Sequence, residues 1–156
     1  MSIKVGDKAP AFTLFDSERK ERSLSEFLGK KTVLVFFPGV FTGVCTKEMC
    51  TFRDSLSSFN SMGAQVVGIS VDAPAALKGF SDQNKLAFPL LSDFTREVSK
   101  KYCWIYESFG GVPGLTTSKR SVFVLDGKGI VKYVWITENA GVEPDYNEVK
   151  KAVASF

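Results

Sequence analysis

The chain has 156 residues, the length of one ordinary domain and enough to bury a core without disulfide or metal staples. Hydrophobic residues make up 44% and charged residues 24%, which disfavours disorder, collagen-like repeats and coiled-coil fibres; twenty Lys+Arg against seventeen Asp+Glu leave +3 with no dense basic block, so no nucleic-acid footprint is expected. Histidine is absent, which removes Ser/His/Asp and Cys/His catalysis, histidine-ligated zinc and the usual general base near neutral pH.

Thr32 to Phe37 is apolar throughout, β-branched and aromatic, and suits a central strand covered on both faces, ended by Pro38-Gly39. From Cys45 the apolar positions Met49, Phe52, Leu56 and Phe59 recur at helical spacing, with Gly63 just past the end. Gln65 to Ser70 reads as a second buried strand, and Asp72-Ala73-Pro74 as an N-cap with Pro in the first turn of a helix carrying Leu77 and Phe80. A short strand over Phe88 to Ser92 and a short helix over Thr95 to Tyr102 follow, with Phe94, Val98 and Tyr102 on one side.

Gly110 to Thr117 is a turn-rich loop. Arg120 to Leu125 and Ile130 to Trp135 flank Asp126-Gly127-Lys128-Gly129, a hairpin signal. Asp145 and Glu148 predict a capping box for a last helix burying Tyr146, Val149, Val153 and Phe156. The order βα-βα-(βα)-ββ-α predicts one α/β domain over residues 1–156, with a central mixed sheet flanked by helices. It fits the thioredoxin-like arrangement and also other α/β sandwiches.

Cys45, Cys50 and Cys103 are too few and too oddly numbered for the disulfide framework of a small secreted domain, so a reducing compartment is expected. The start of the chain has no apolar targeting core, and the apolar stretch from Val33 to Phe41 is cut far short of a membrane span. A soluble cytoplasmic protein without membrane or nucleic-acid partners is the expectation.

Ligands of open α/β sheets bind beyond the carboxyl ends of strands, where Pro38 to Cys45 falls. With Thr42 as N-cap, its hydroxyl accepting a first-turn N–H, Cys45 is the third helical residue, among unpaired N–H groups at the positive end of the dipole. Both features favour a thiolate. With no histidine, a cationic partner must be Arg or Lys, and Arg120, just before an apolar strand, is the first candidate. Cys50 is turned ~140° from Cys45 and raised ~7.5 Å, so joining the two by a disulfide requires unwinding the first turns of the helix.

Pro38, Thr42 and Cys45 match the P-x-x-x-T-x-x-C motif of the peroxiredoxins, and Thr46-Lys47-Glu48-Met49-Cys50 resembles the bacterioferritin comigratory protein, or peroxiredoxin Q, subgroup. The similarity includes the opening Val5 to Phe12 and Arg120 to Asp126, an arginine followed by an apolar strand. Position by position, this resemblance implies a peroxidatic Cys45 that attacks a hydroperoxide and becomes a sulfenic acid. It implies that Thr42 and Arg120 hold the peroxide oxygens, that Pro38 shields the site, and that Glu48 orients the arginine. Cys50 is similar to the subgroup's resolving cysteine, which implies an intramolecular Cys45–Cys50 disulfide reopened by a thioredoxin-like or other dithiol reductant. No metal or organic cofactor is implied. Many relatives carry Pro after the motif threonine, where this chain has Gly43-Val44.

Plainer roles stand beside these. Thr42 serves as a helix cap and Pro38 as a strand terminator in any case, and Arg120, like Lys119, could be a charge guarding a hydrophobic strand. Cys103, between Tyr102 and Trp104, reads as a small hydrophobe. Two other functions compete with a peroxidase acting on hydrogen peroxide or small organic hydroperoxides. One is a thiol-disulfide oxidoreductase, for which C-x-x-x-x-C is the wrong spacing. The other is a redox-sensing or chaperone-like module that exposes Phe52 or Phe59 on oxidation. Either a monomer or a homodimer is compatible with the composition.

Overall fold

The computed structural model describes residues 3–156. The chain opens with an antiparallel pair, β1 (Thr13–Asp16) and β2 (Glu21–Ser23), and a single helical turn, α1 (Leu24–Phe27). Strand β3 (Lys31–Phe36) then leads through a loop into α2 (Gly43–Asp54) and α3 (Leu56–Ser61), followed by β4 (Ala64–Ser70), α4 (Pro74–Asn84), β5 (Leu90–Ser92) and α5 (Glu97–Tyr102). Two short strands, β6 (Ile105–Tyr106) and β7 (Thr117–Ser118), pair with each other around a loop. The chain closes with the hairpin β8 (Ser121–Leu125) and β9 (Val131–Ile136) and the helix α6 (Tyr146–Ala154).

Seven strands form one mixed sheet in the order β2-β1-β5-β4-β3-β8-β9, with β3–β4 and β4–β5 parallel and β3–β8 antiparallel. This is the thioredoxin-like layered arrangement. Its centre is β3, and cover on both faces explains why that strand is apolar from Val33 to Phe36. Val33, Val35 and Phe37 face one core with Met49, Phe52, Leu77, Phe80 and Val149, while Leu34 and Phe36 face the other with Phe27, Tyr102 and Phe123. Each such fully buried side chain contributes roughly 1.5–3 kcal/mol by leaving water.

Helix α2 lies close against the sheet because β4 carries Gly68. A Cβ there would come within 2.6 Å of Leu90 Cδ2 and 2.8 Å of Met49 Cε. The bare backbone is what lets Met49, one turn after Cys45, rest on the strand.

Several elements depart from the sequence expectation. The long helix expected from Cys45 to Gly63 is broken at Ser55, whose N–H is shared between Thr51 O (3.0 Å) and Phe52 O (3.2 Å). Serine occupies positions 55, 57 and 58, and serine weakens a helix interior by offering the backbone alternative bonds. The turn brings Phe59 back over Phe52, with ring centroids 6.0 Å apart. Asp72 does not cap α4; Ala73 holds that position without a side-chain bond, although Pro74 does open the helix.

Phe94 lies outside α5 and is exposed, because Asp93 takes the N–H groups of Val98 and Ser99 (3.2 and 2.6 Å) and residues 94–96 loop outward. Asp145 caps α6 by accepting from Asn147 N and Glu148 N, but Glu148 does not return the bond; its Oε2 accepts from Tyr133 Oη instead (3.4 Å). Phe156 stays partly exposed, beneath Lys31 Nζ at 4.8 Å from the ring centroid. The β1–β2 and β6–β7 pairs carry no periodic signal, being only two to four residues long.

Candidate active site

Strand β3 delivers the chain to the loop 38–42, which two contacts hold in place. Val40 N donates to Asp72 Oδ2 (2.9 Å), and Asp72 Oδ2 also accepts from Ser70 Oγ (2.7 Å) at the end of the neighbouring strand. Asp72 is thus occupied with the loop, which is why it does not cap α4. Phe41 adopts φ +59°, a left-handed conformation that is unusual for an aromatic residue, and its ring meets Phe80 edge-on at 5.5 Å.

Thr42 is the N-cap of α2, and Cys45 is its third residue, as the spacing predicts. The threonine side chain does not cap, however. Its Oγ1 donates to Gly39 O (2.8 Å), and no first-turn N–H bonds to it. Two consequences follow. The first-turn N–H groups are left without that side-chain partner at the positive end of the helix, and the threonine proton is spent on Gly39, leaving the hydroxyl only lone pairs to offer elsewhere.

Sheet register brings the cation. Phe36 pairs with Ser121, so Arg120 stands beside the carboxyl end of β3 although 75 residues separate it from Cys45. Arg120 Nη1 lies 3.3 Å from Cys45 Sγ and 2.8 Å from Glu48 Oε1, and all three residues are buried. The other edge of the guanidinium donates to Ala140 O, from Nε at 2.9 Å and Nη2 at 2.7 Å. Its backbone N donates to Tyr106 Oη (3.2 Å). A planar, forked cation is needed to reach sulfur, carboxylate and carbonyl at once, which an ammonium could not do.

The electrostatics are finely opposed. Burial works against the Arg120 charge, but Glu48 and Cys45 more than restore it, so its pKa lies above the ordinary value. Burial pushes the Glu48 carboxyl up to about 7 against the pull of Arg120, with Glu143 adding to the rise. Glu48 Oε2 has no hydrogen-bond partner. A guanidinium N–H facing sulfur is a contact that a thiolate accepts far more strongly than a thiol.

Of the residues singled out from sequence, Cys45, Glu48 and Arg120 therefore converge. Pro38, which is buried, and Thr42 line an adjoining cavity of about 230 Å³ with Val40, Asp72, Phe109 and Leu115; Cys45 and Arg120 do not line it. Cys50 is half-buried on another face of α2, its Sγ 3.5 Å from Asn84 Oδ1, and α2 is continuous through both cysteines. Lys119 pairs with exposed Glu138 (2.8 Å), so of the two adjacent cations only Arg120 turns inward. Sequence reasoning missed Asp72 as the loop's anchor and Ala140 as the arginine's second partner. A backbone carbonyl has no side-chain signature, and Asp before Ala-Pro reads as a cap.

Residues 5–134 match the AhpC/TSA family. Chloroplastic peroxiredoxin Q of Populus jackii is 41% identical over 133 residues, 85% of this chain and 60% of the relative. A putative peroxiredoxin of Mycobacterium tuberculosis is 44% identical over 129 residues, 81% of each chain. The chain spans about 60% of the length of the plant relatives it matches. The crystal structure of peroxidoxin BcpB from Mycobacterium tuberculosis is similar at 30% identity and a TM-score of 0.85, over 98% of this chain and 97% of that one. A mixed sheet with a buried cysteine at a helix N-terminus, an arginine just before a strand against its sulfur, and these matches lead to one conclusion: the chain belongs to the AhpC/TSA family of peroxiredoxins and stands close to the peroxiredoxin Q subgroup.

Proposed function

We propose that the chain is a thiol peroxidase that reduces hydrogen peroxide and small organic hydroperoxides through Cys45. The observation that carries this reading is Arg120 Nη1 at 3.3 Å from Cys45 Sγ, at the N-terminus of α2, with Glu48 holding the guanidinium. The thiolate attacks the hydrogen-bearing oxygen of the peroxide, the S–O bond forms as the O–O bond breaks, and the leaving alkoxide or hydroxide takes a proton from solvent to depart as alcohol or water. Cys45 is left as a sulfenic acid. Arg120 stabilises the charge that develops on the leaving oxygen, where a preorganised donor acts on the transition state more than on the ground state. Thr42, its proton held by Gly39, accepts the hydrogen of the attacked hydroxyl, and Pro38 walls the site from water.

Cys50 then resolves the sulfenic acid as an intramolecular disulfide, and a thioredoxin-like or other dithiol reductant reopens it by exchange. Free thiols at Cys45, Cys50 and Cys103 suit a reducing, cytoplasmic setting. The test mixes fully reduced protein with hydrogen peroxide and follows tryptophan fluorescence, beside Cys45→Ser and free cysteine. The expected result is a fast phase that Cys45→Ser lacks; a rate no faster than free cysteine would overturn the reading.

A further inference from the structure

Cys50 sits against the last turn of α4, and its side-chain hydrogen bond there is to Asn84. The amide orientation of Asn84 is set by Nδ2 donating to Phe80 O (3.0 Å), which turns Oδ1 toward Cys50 Sγ at 3.5 Å. An amide oxygen only accepts, so the contact needs the hydrogen of the thiol. The backbone carbonyl of the same residue accepts from Arg53 Nη1 at 2.7 Å, and Arg53 lies one helical turn beyond Cys50. Two hydrogen bonds from the second half of α2 therefore converge on one residue of α4. None of these groups touches Cys45, Glu48 or Arg120.

We infer that Asn84 is a positioning residue for the second half of the catalytic cycle: it holds Cys50 docked on α4 and thereby slows its meeting with Cys45. The inference rests on the reading of Cys45 as peroxidatic and Cys50 as resolving. In the resolving step the Cys50 sulfur bonds to the sulfenic sulfur, the S–O bond breaks, and the hydroxyl leaves with the thiol proton as water. While Cys50 stays clasped, a second hydroperoxide can deliver an oxygen to the same sulfenic sulfur as its O–O bond breaks, giving a sulfinic acid and water or an alcohol. The clasp sets the balance between these fates, because the two thiols lie on different faces of an intact helix and must leave their present seats to join.

The experiment uses the full chain, hydrogen peroxide and three variants. Peroxide reaction is read from the first fluorescence phase, Cys45–Cys50 disulfide formation from intact mass after rapid alkylation, and sulfinic acid from intact mass under excess peroxide. Asn84→Ala is expected to form the disulfide about fivefold faster, the worth of roughly one net hydrogen bond, with correspondingly less sulfinic acid and an unchanged first phase. Asn84→Asp, which keeps an acceptor for the thiol but loses the Nδ2 donor to Phe80 O, is expected to speed the disulfide by less than Asn84→Ala does. Arg53→Leu, which opens only the backbone tie, is expected to fall between, and it carries the test if Asn84→Ala folds poorly. A native chain that forms the disulfide at a rate neither Asn84→Ala nor Arg53→Leu exceeds overturns the inference alone. A native chain that reacts with peroxide yet never forms that disulfide removes the resolving role of Cys50 and the inference with it.

Discussion

Cys45 and Cys103 are both closed to solvent, in the cores on opposite faces of the same sheet. Around Cys103 stand Phe12, Phe36, Tyr102 and Phe123, its Sγ donates to Trp104 O at 3.3 Å, and burial pushes the thiol up to about 12. Around Cys45 the sequence spends a helix N-terminus, a guanidinium and a buried carboxyl. Burial alone makes a thiol inert; burial beside a preorganised cation makes a site. The comparison also shows how a chain without histidine can set positive charge beside a buried thiol, since Arg120 supplies it without needing to exchange a proton.

The largest expected effect comes from making the first site resemble the second. Arg120→Met should slow the peroxide phase by about 10²–10³-fold, the usual loss when a transition-state donor is removed, and Arg120→Lys should recover little of it because one ammonium cannot reach Cys45, Glu48 and Ala140 together. Stopped-flow rates at fixed pH check both.

Next comes the counter-charge. Glu48→Gln should cost roughly tenfold in the same rate, about the worth of one charge-assisted hydrogen bond, and should erase an inflection near pH 7 in the rate profile. Below that pH the proton on Glu48 removes the charge that holds Arg120 in place, as Gln does; above it the carboxylate fixes the guanidinium against Cys45, with Glu143 and Tyr146 the other titratable groups felt nearby. Stability should follow the same group. Its folded pKa lies above the ordinary 4.5, so the folded state holds the proton more tightly. Tm should therefore decline between about pH 4.5 and 7 in the native chain, and Glu48→Gln should lack that part of the decline.

A smaller effect tests packing. Gly68→Ala forces a Cβ against Leu90 and Met49 and should cost about 1–3 kcal/mol, read as a Tm lower by several degrees, with a slower peroxide phase because Met49 seats the turn that carries Cys45. The smallest belongs to the control thiol. Cys103→Ala should leave the peroxide phase unchanged, and Cys103 should resist alkylation in the native protein while modifying fully once unfolded.

Much of this architecture is legible before any coordinates. The β-branched and aromatic run at residues 32–37 suits a doubly covered strand, and the Asp126 to Gly129 turn signals a hairpin, as the structure has them. Cys45 at a helix start beyond that strand follows from the same local pattern, and so does its separation from Cys50. Short elements escaped, since β1, β2, β6 and β7 are held by their neighbours rather than by any period of their own. Side chains with two possible partners were misjudged: Thr42 and Asp72 both read as helix caps, and both bond within the loop instead. Local propensity specifies that such a residue will accept or donate, but the partner is chosen by whatever the fold brings nearest.

The sequence by itself determined the layered α/β class and the central strand, and it singled out the candidate nucleophile and the kind of cation it would need, because hydrophobic period, turn chemistry and residue inventory are local properties. Only the tertiary structure decided that Arg120 reaches Cys45, that Ala140 braces it, that Asp72 pins the loop and that Asn84 clasps Cys50. Each of these joins segments distant in the chain, through sheet register or a backbone carbonyl. Register is set cooperatively by the whole sheet, and a carbonyl is the same in every residue, so neither is written in any single stretch of sequence.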